Sequence, residues 1–208
     1  MLHVDLERVL GDIDAAEREA RSLVFGLSDA QANWQAQAGT TWSLAQCLDH
    51  LARVDQQYAD CFLAAVDGAR LRRGSGPFKG LALGWLGRRF VASLEPPPSF
   101  RAKAPSRTVP VSRAALADTL DSYARAHDAF RRLILASTDV DPNRLVTRNP
   151  FFPMVRMRLS TALLAVPAHE RRHIWQMRRV RSAPDFPDAA TEASHVEDGA
   201  TTGREAHP

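Results

Sequence analysis

With 208 residues, 45% hydrophobic and 25% charged side chains, the chain has the length and composition of one folded domain with a real core. Its net charge of +3 is uneven, because residues 183–208 hold six carboxylates against Arg204 alone, leaving the body basic. That excess attracts anionic small molecules, nucleic acid or membrane surfaces without choosing among them. No run approaches the eighteen or more uncharged apolar residues that a membrane span needs.

The first predicted helix carries Leu6, Val9, Leu10, Ile13, Ala16, Ala20, Leu23 and Leu27 at spacings of three and four, with Asp5 as its candidate N-cap. It reads as an acidic amphipathic helix rather than a signal sequence, and the chain is expected to be cytoplasmic. The second helix starts at "TWSLAQ", where Ser43 and Gln46 make a capping box and Trp42 holds the staple position. Its seam runs Cys47, Leu51, Val54, Tyr58, Cys61 and Ala65, and His50 flanks that seam. Fourteen residues of helical rise put Cys47 and Cys61 about 21 Å apart, too far to bridge. Both are expected to be small core residues in a reducing compartment.

About forty residues then separate the second helix from the third, far more than neighbouring antiparallel helices need. The length predicts a crossover. Leu81 to Leu94 could form a short amphipathic helix within it, and "EPPPSF" is expected to be extended. Nine Lys or Arg stand between Arg70 and Arg107 against Glu95 alone, interleaved with Phe78, Trp85, Phe90 and Phe100. The pattern raises nucleic-acid or membrane binding, but a solvated face with its aromatics folded onto the bundle is the preferred expectation.

The third helix is expected to follow Ser112 as its cap, with Leu116, Leu120, Tyr123, His127, Phe130 and Ile134 as its stripe. The fourth carries Leu159, Leu163, Val166, His169, His173, Met177 and Val180. With no period-two alternation evident, the expected class is an all-α bundle over residues 1–182. Residues 183–208 have little to bury and read as a disordered acidic tail.

On the fourth helix two histidines replace apolar residues, in "AHERRH", which contains His-Glu-x-x-His. Residues four apart share a helix face, about 6 Å apart at Cβ, and can converge on one ion. A zinc protease of the metzincin kind would need Gly and His where this chain has Gln176 and Arg179, and no edge strand is available to align a peptide. The metallohydrolase reading is therefore the less favoured one. Inward His50 supplies a third imidazole from a facing helix, and three protein ligands with an open position suit a catalytic rather than a structural site. Glu170 reads as a surface or second-layer carboxylate paired with an arginine, and His127 as a core histidine bonded to a neighbour such as Tyr123. Pro167 should kink the helix or restart it beside the site.

"TWSLAQCLDHLARVDQQY" resembles the Trp-Ser…His segment, and "AHERRHIWQMRRV" the His-x-x-x-His…Gln segment, of the DinB/YfiT-type four-helix proteins. The resemblance covers roughly residues 5–182. It implies an up-down-down-up bundle, with the crossover between helices two and three, and His50, His169 and His173 as metal ligands. It also implies metal-dependent transferases and isomerases that use low-molecular-weight thiols, alongside members without assigned activity.

The expectation is thus an open three-histidine divalent-metal site in thiol-dependent transfer or isomerisation, acting on a small molecule, with no catalytic side chain assigned. The alternative is a non-catalytic, metal-containing binding or stress-associated module. Three imidazoles suit Zn, Ni, Fe(II) or Co, and abundance with the resemblance ranks Zn first and Ni second. Of partners, nucleic acid is disfavoured and a homodimer is compatible with the reading.

Overall fold

The computed structural model describes residues 2–71, 78–98, 103–110 and 113–187. Its helices are α1 (Val4–Val24), α2 (Asp29–Ala32), α3 (Ala36–Gly39), α4 (Leu44–Leu71), α5 (Trp85–Leu94), α6 (Leu116–Ala136) and α7 (Leu159–Arg181), with 3-10 turns at Ser106–Thr108 and Ser137–Asp139. Helices α1, α4, α6 and α7 are the four anticipated from periodicity, and together they form an all-α bundle. Among the described residues no helix is long and apolar enough to cross a membrane.

Residue pairs fix the helix directions. Asp55 stands beside His127, and further along both helices Arg70 donates to the Ala136 carbonyl at 3.3 Å, so α4 and α6 run the same way. Between α1 and α6 the order reverses, since Asp14 meets Arg131 and Glu17 meets His127. Helices α1 and α7 are again co-directional, through Asp12 with Arg171 and Glu19 with Arg178. Two helices running the same way need a long return between them, which is the physical reason for the connection from α4 to α6.

The core has two apolar halves. One is built from Leu6, Val9, Ile13, Phe62, Phe130 and Leu163 with their neighbours. The other is built from Ala20, Val24, Leu48, Leu51, Ala126 and Met177 with theirs. Between them lies a polar layer, to which every long helix contributes: Glu17 on α1, His50 and Asp55 on α4, His127 on α6, and His169, Glu170 and His173 on α7. Each fully buried Leu or Phe contributes roughly 1.5–3 kcal/mol, so the halves on either side hold the layer in place.

Helix ends partly match expectation. The capping box at α4 is present: Gln46 N donates to Ser43 Oγ at 3.1 Å, and Ser43 N to Gln46 Oε1 at 3.0 Å. At α1 the cap is His3 rather than Asp5. Its Nδ1 accepts from Asp5 N at 3.2 Å, which frees the Asp5 carboxylate to accept from Leu81 N at 2.8 Å and pin the crossover. Helix α6 begins at Leu116, whose N–H is accepted by Asp29 Oδ1 at 2.8 Å, and Ser112 lies outside the described residues. Helix α7 is continuous through Pro167 and does not restart there.

The crossover helix is shorter than its predicted span. It starts at Trp85 and rests on α7 where Gly87 faces Thr161, a contact so close that an added Cβ would lie 3.0 Å from Thr161 Oγ1. Glu95 has extended backbone angles as expected, while the chain bends over residues 95–97. Phe78 packs on the core, but Trp85 and Leu86 stay exposed, with Arg89 over the Trp85 ring, so the aromatics fold onto the bundle only in part. Phe100 lies outside the described residues.

A two-stranded antiparallel ribbon, β1 (Val146–Arg148) with β2 (Arg156–Arg158), was not expected from the sequence. Three-residue strands are too short for alternation to register. Cys47 is fully buried, while Cys61 is only half-buried, and both are free thiols. At the start of the predicted tail, Phe186 is buried edge-on to Trp34 at 5.5 Å, and Gln31 donates to the Pro187 carbonyl at 2.9 Å. Residues 188–208 lie outside the described residues.

Candidate metal centre

His50, His169 and His173 come together in the polar layer. Nε2 of His169 is 3.4 Å from Nε2 of His50 and 3.1 Å from Nε2 of His173, and the three ring nitrogens form a group able to hold one ion. Nitrogens bonded to one ion at about 2.0–2.1 Å stand roughly 2.8–3.4 Å apart for octahedral to tetrahedral angles, so the spacing fits a shared cation. His50 and His173 are buried and His169 is half-buried.

The tautomer of His50 is fixed. Its Nδ1 lies 2.6 Å from the Thr108 carbonyl, which can only accept, so Nδ1 carries the proton and Nε2 presents its lone pair. Thr108 is itself buried, in the 3-10 turn of the crossover, where its hydroxyl donates to the Pro105 carbonyl at 2.9 Å. Trp42, just ahead of the α4 capping box, covers the rings, with its centroid 4.7 Å from His50 and 5.7 Å from His173.

Burial disfavours the imidazolium form of all three histidines. It pushes His169 down to about 3, aided by the neighbouring His50, and drives His173 well below its usual range, aided by His169 and His50. His50 is lowered less, because the Thr108 carbonyl works the other way. The Arg172 guanidinium adds to the lowering at each ring. Neutral imidazoles are the form that binds metal.

Glu170 is not a surface carboxylate. It is completely buried, accepting from Tyr123 Oη at 2.6 Å and standing 3.2 Å from His127 Nε2. The expected arginine partnership goes elsewhere: Arg171 pairs with Glu95 and Asp12, and Arg172 donates to the Ser93 carbonyl, so these two clamp α5 onto α7. His127 is a core histidine as expected, but its polar partner is Glu170, and Tyr123 meets it through ring packing at 4.1 Å.

Sequence reading missed Trp42 as a cover, the Thr108 carbonyl, and Asp55. The last carried a signal, since Asp55 lies four residues after Leu51 and three before Tyr58, on the buried seam. A surface recess of about 520 Å³, lined by Val146, Thr147, Arg148, Pro153, Met154 and Arg156, contains none of the three histidines.

The family model described as the DinB superfamily matches residues 12–177, which span all three histidines. No curated protein and no solved structure matches the chain.

Proposed function

The chain belongs to the DinB superfamily, and on that premise we propose that it is a metal-dependent enzyme of small-thiol transfer or isomerisation, with a divalent ion, Zn ahead of Ni, on His50, His169 and His173. The observation that supports this most is the convergence of three Nε2 atoms, one of them with its lone pair fixed by the Thr108 carbonyl. A divalent ion held by three imidazoles leaves a position for a small thiol or water and lowers its pKa.

The chain's own residues do the positioning. The Thr108 carbonyl and the Trp42 ring orient His50, and Trp42 also keeps bulk water from that side of His173. Arg172, whose charge is felt at all three imidazoles, places positive potential where an anionic thiol substrate would approach. With buried, neutral imidazoles the site takes up a cation without first expelling protons from its ligands.

The test is a screen of the metal-loaded protein with glutathione and other small thiols, each with an electrophile. Thiol-dependent turnover that disappears in His50→Ala is the expected result. Stoichiometric metal binding without turnover across the panel would favour the non-catalytic module instead.

A further inference from the structure

One step round α7 from the three histidines lies a second cluster. Nε2 of His127 on α6 is 3.2 Å from Glu170 Oε1 on α7 and 3.5 Å from Asp55 Oδ2 on α4. All three side chains are fully buried, and both Asp55 oxygens lie inside the protein without a hydrogen-bond donor. Burial, and the Glu170 carboxylate beside it, push the Asp55 carboxyl well above its usual range, so without an ion it is held as a neutral acid whose buried oxygens still lack a partner.

The remaining atoms are already committed in a way that leaves this face open. Tyr123 Oη takes Glu170 Oε2, so Oε1 is the oxygen turned toward His127. Behind His127, Glu17 Oε2 lies 3.6 Å from Nδ1 and is itself held by Arg131 at 2.7 Å. A carboxylate behind one ring nitrogen, with the other turned toward carboxylate oxygens, is how histidine ligands are commonly oriented. The His127–Glu170 spacing of 3.2 Å is that of donors sharing one ion, the His127–Asp55 spacing of 3.5 Å is slightly longer, and the ligand atoms of all three residues lie within 4.8 Å of one another.

We propose that Asp55, His127 and Glu170 form a second divalent-cation site, distinct from the three-histidine group. Against burial, Glu170 and Glu17 keep a proton on His127 up to about 9, and an ion must displace that proton along with the one on Asp55. The two carboxylates and neutral imidazole that then remain carry a charge of about −2, which a divalent ion balances, and this donor set takes first-row ions such as Mn2+, Fe2+ or Zn2+. Three helices meet at one ion there, and the buried Asp55 oxygens gain the partner they lack. The inference does not depend on what the three-histidine group does.

Zn2+ alone is the probe. The full chain is stripped with chelator, reloaded, and dialysed against a weak chelator that removes loosely held surface ions, and metal is then counted per chain. Wild type is expected to keep two ions, Asp55→Asn one, His50→Ala one, and the double variant none, with far-UV circular dichroism unchanged. Should Asp55→Asn fail to fold, His127→Gln gives the same reading. A folded Asp55→Asn or His127→Gln that keeps the wild-type count overturns the proposal, as does a wild type whose single ion is lost in His50→Ala. A single ion that survives His50→Ala but not Asp55→Asn would instead support this site and sink the three-histidine one.

Discussion

The Trp42 indole lies 5.7 Å from the His173 imidazole at 18° between planes, so an aromatic residue from just before α4 stacks on a histidine of α7. A paramagnetic ion at the histidine group therefore sits close to one of the four tryptophans. Loading with Co2+ should quench tryptophan emission, and Trp42→Phe should remove most of that quenching while leaving the signal of Trp34, Trp85 and Trp175. Undiminished quenching in Trp42→Phe would place the ion elsewhere.

Single replacement of His50, His169 or His173 by alanine should cost one equivalent of tightly bound metal and any thiol-dependent activity. Circular dichroism should stay close to wild type, because the ring nitrogens converge on one another rather than supporting the apolar halves of the core. His50→Ala is the most informative of the three, since it alone removes the contribution of α4. Wild-type metal affinity in that variant would reopen the His-Glu-x-x-His reading with some other third ligand.

Chelation should lower thermal stability without unfolding the bundle at room temperature. Bound ligand adds stability in proportion to the logarithm of its concentration over Kd, about 4 kcal/mol at a thousandfold excess, but the apolar halves on either side of the layer remain. The measurement is far-UV circular dichroism of the stripped protein at 25 °C, with a melting curve. Loss of helix at that temperature would mean that the ion is structural.

Arg131 links α6 to α1 through Asp14 at 2.8 Å and Glu17 at 2.7 Å, and it also meets Asp128 on its own helix. Replacing it with alanine should destabilise the fold by about 1 kcal/mol, the range of a partly buried ion network. The denaturation midpoint should fall with an unchanged slope, and metal retention by the three histidines should be unaltered. A variant as stable as wild type would show that the network contributes nothing net.

The four long helices and the His169/His173 pair were legible in the sequence because they depend on spacing within single helices, whereas His50, on another helix, joined the pair through its place beside the α4 seam and the family resemblance. Apolar residues at three and four mark a buried face whatever the partner, and His169 with His173 at four apart share a face for the same geometric reason. The Ser43 and Gln46 cap is equally local. What tertiary structure alone decided is which faces meet. Glu170 reads as a surface or second-layer carboxylate because it lies one residue round from the histidines, yet the packing of α7 against α1 and α4 turns it across the bundle onto Tyr123 and His127 of α6. Asp55 gains its place beside His127 only because α4 and α6 run side by side. The proton on His50 is set by a backbone carbonyl 58 residues away, and since every residue carries such a carbonyl, no pattern of side chains could announce it.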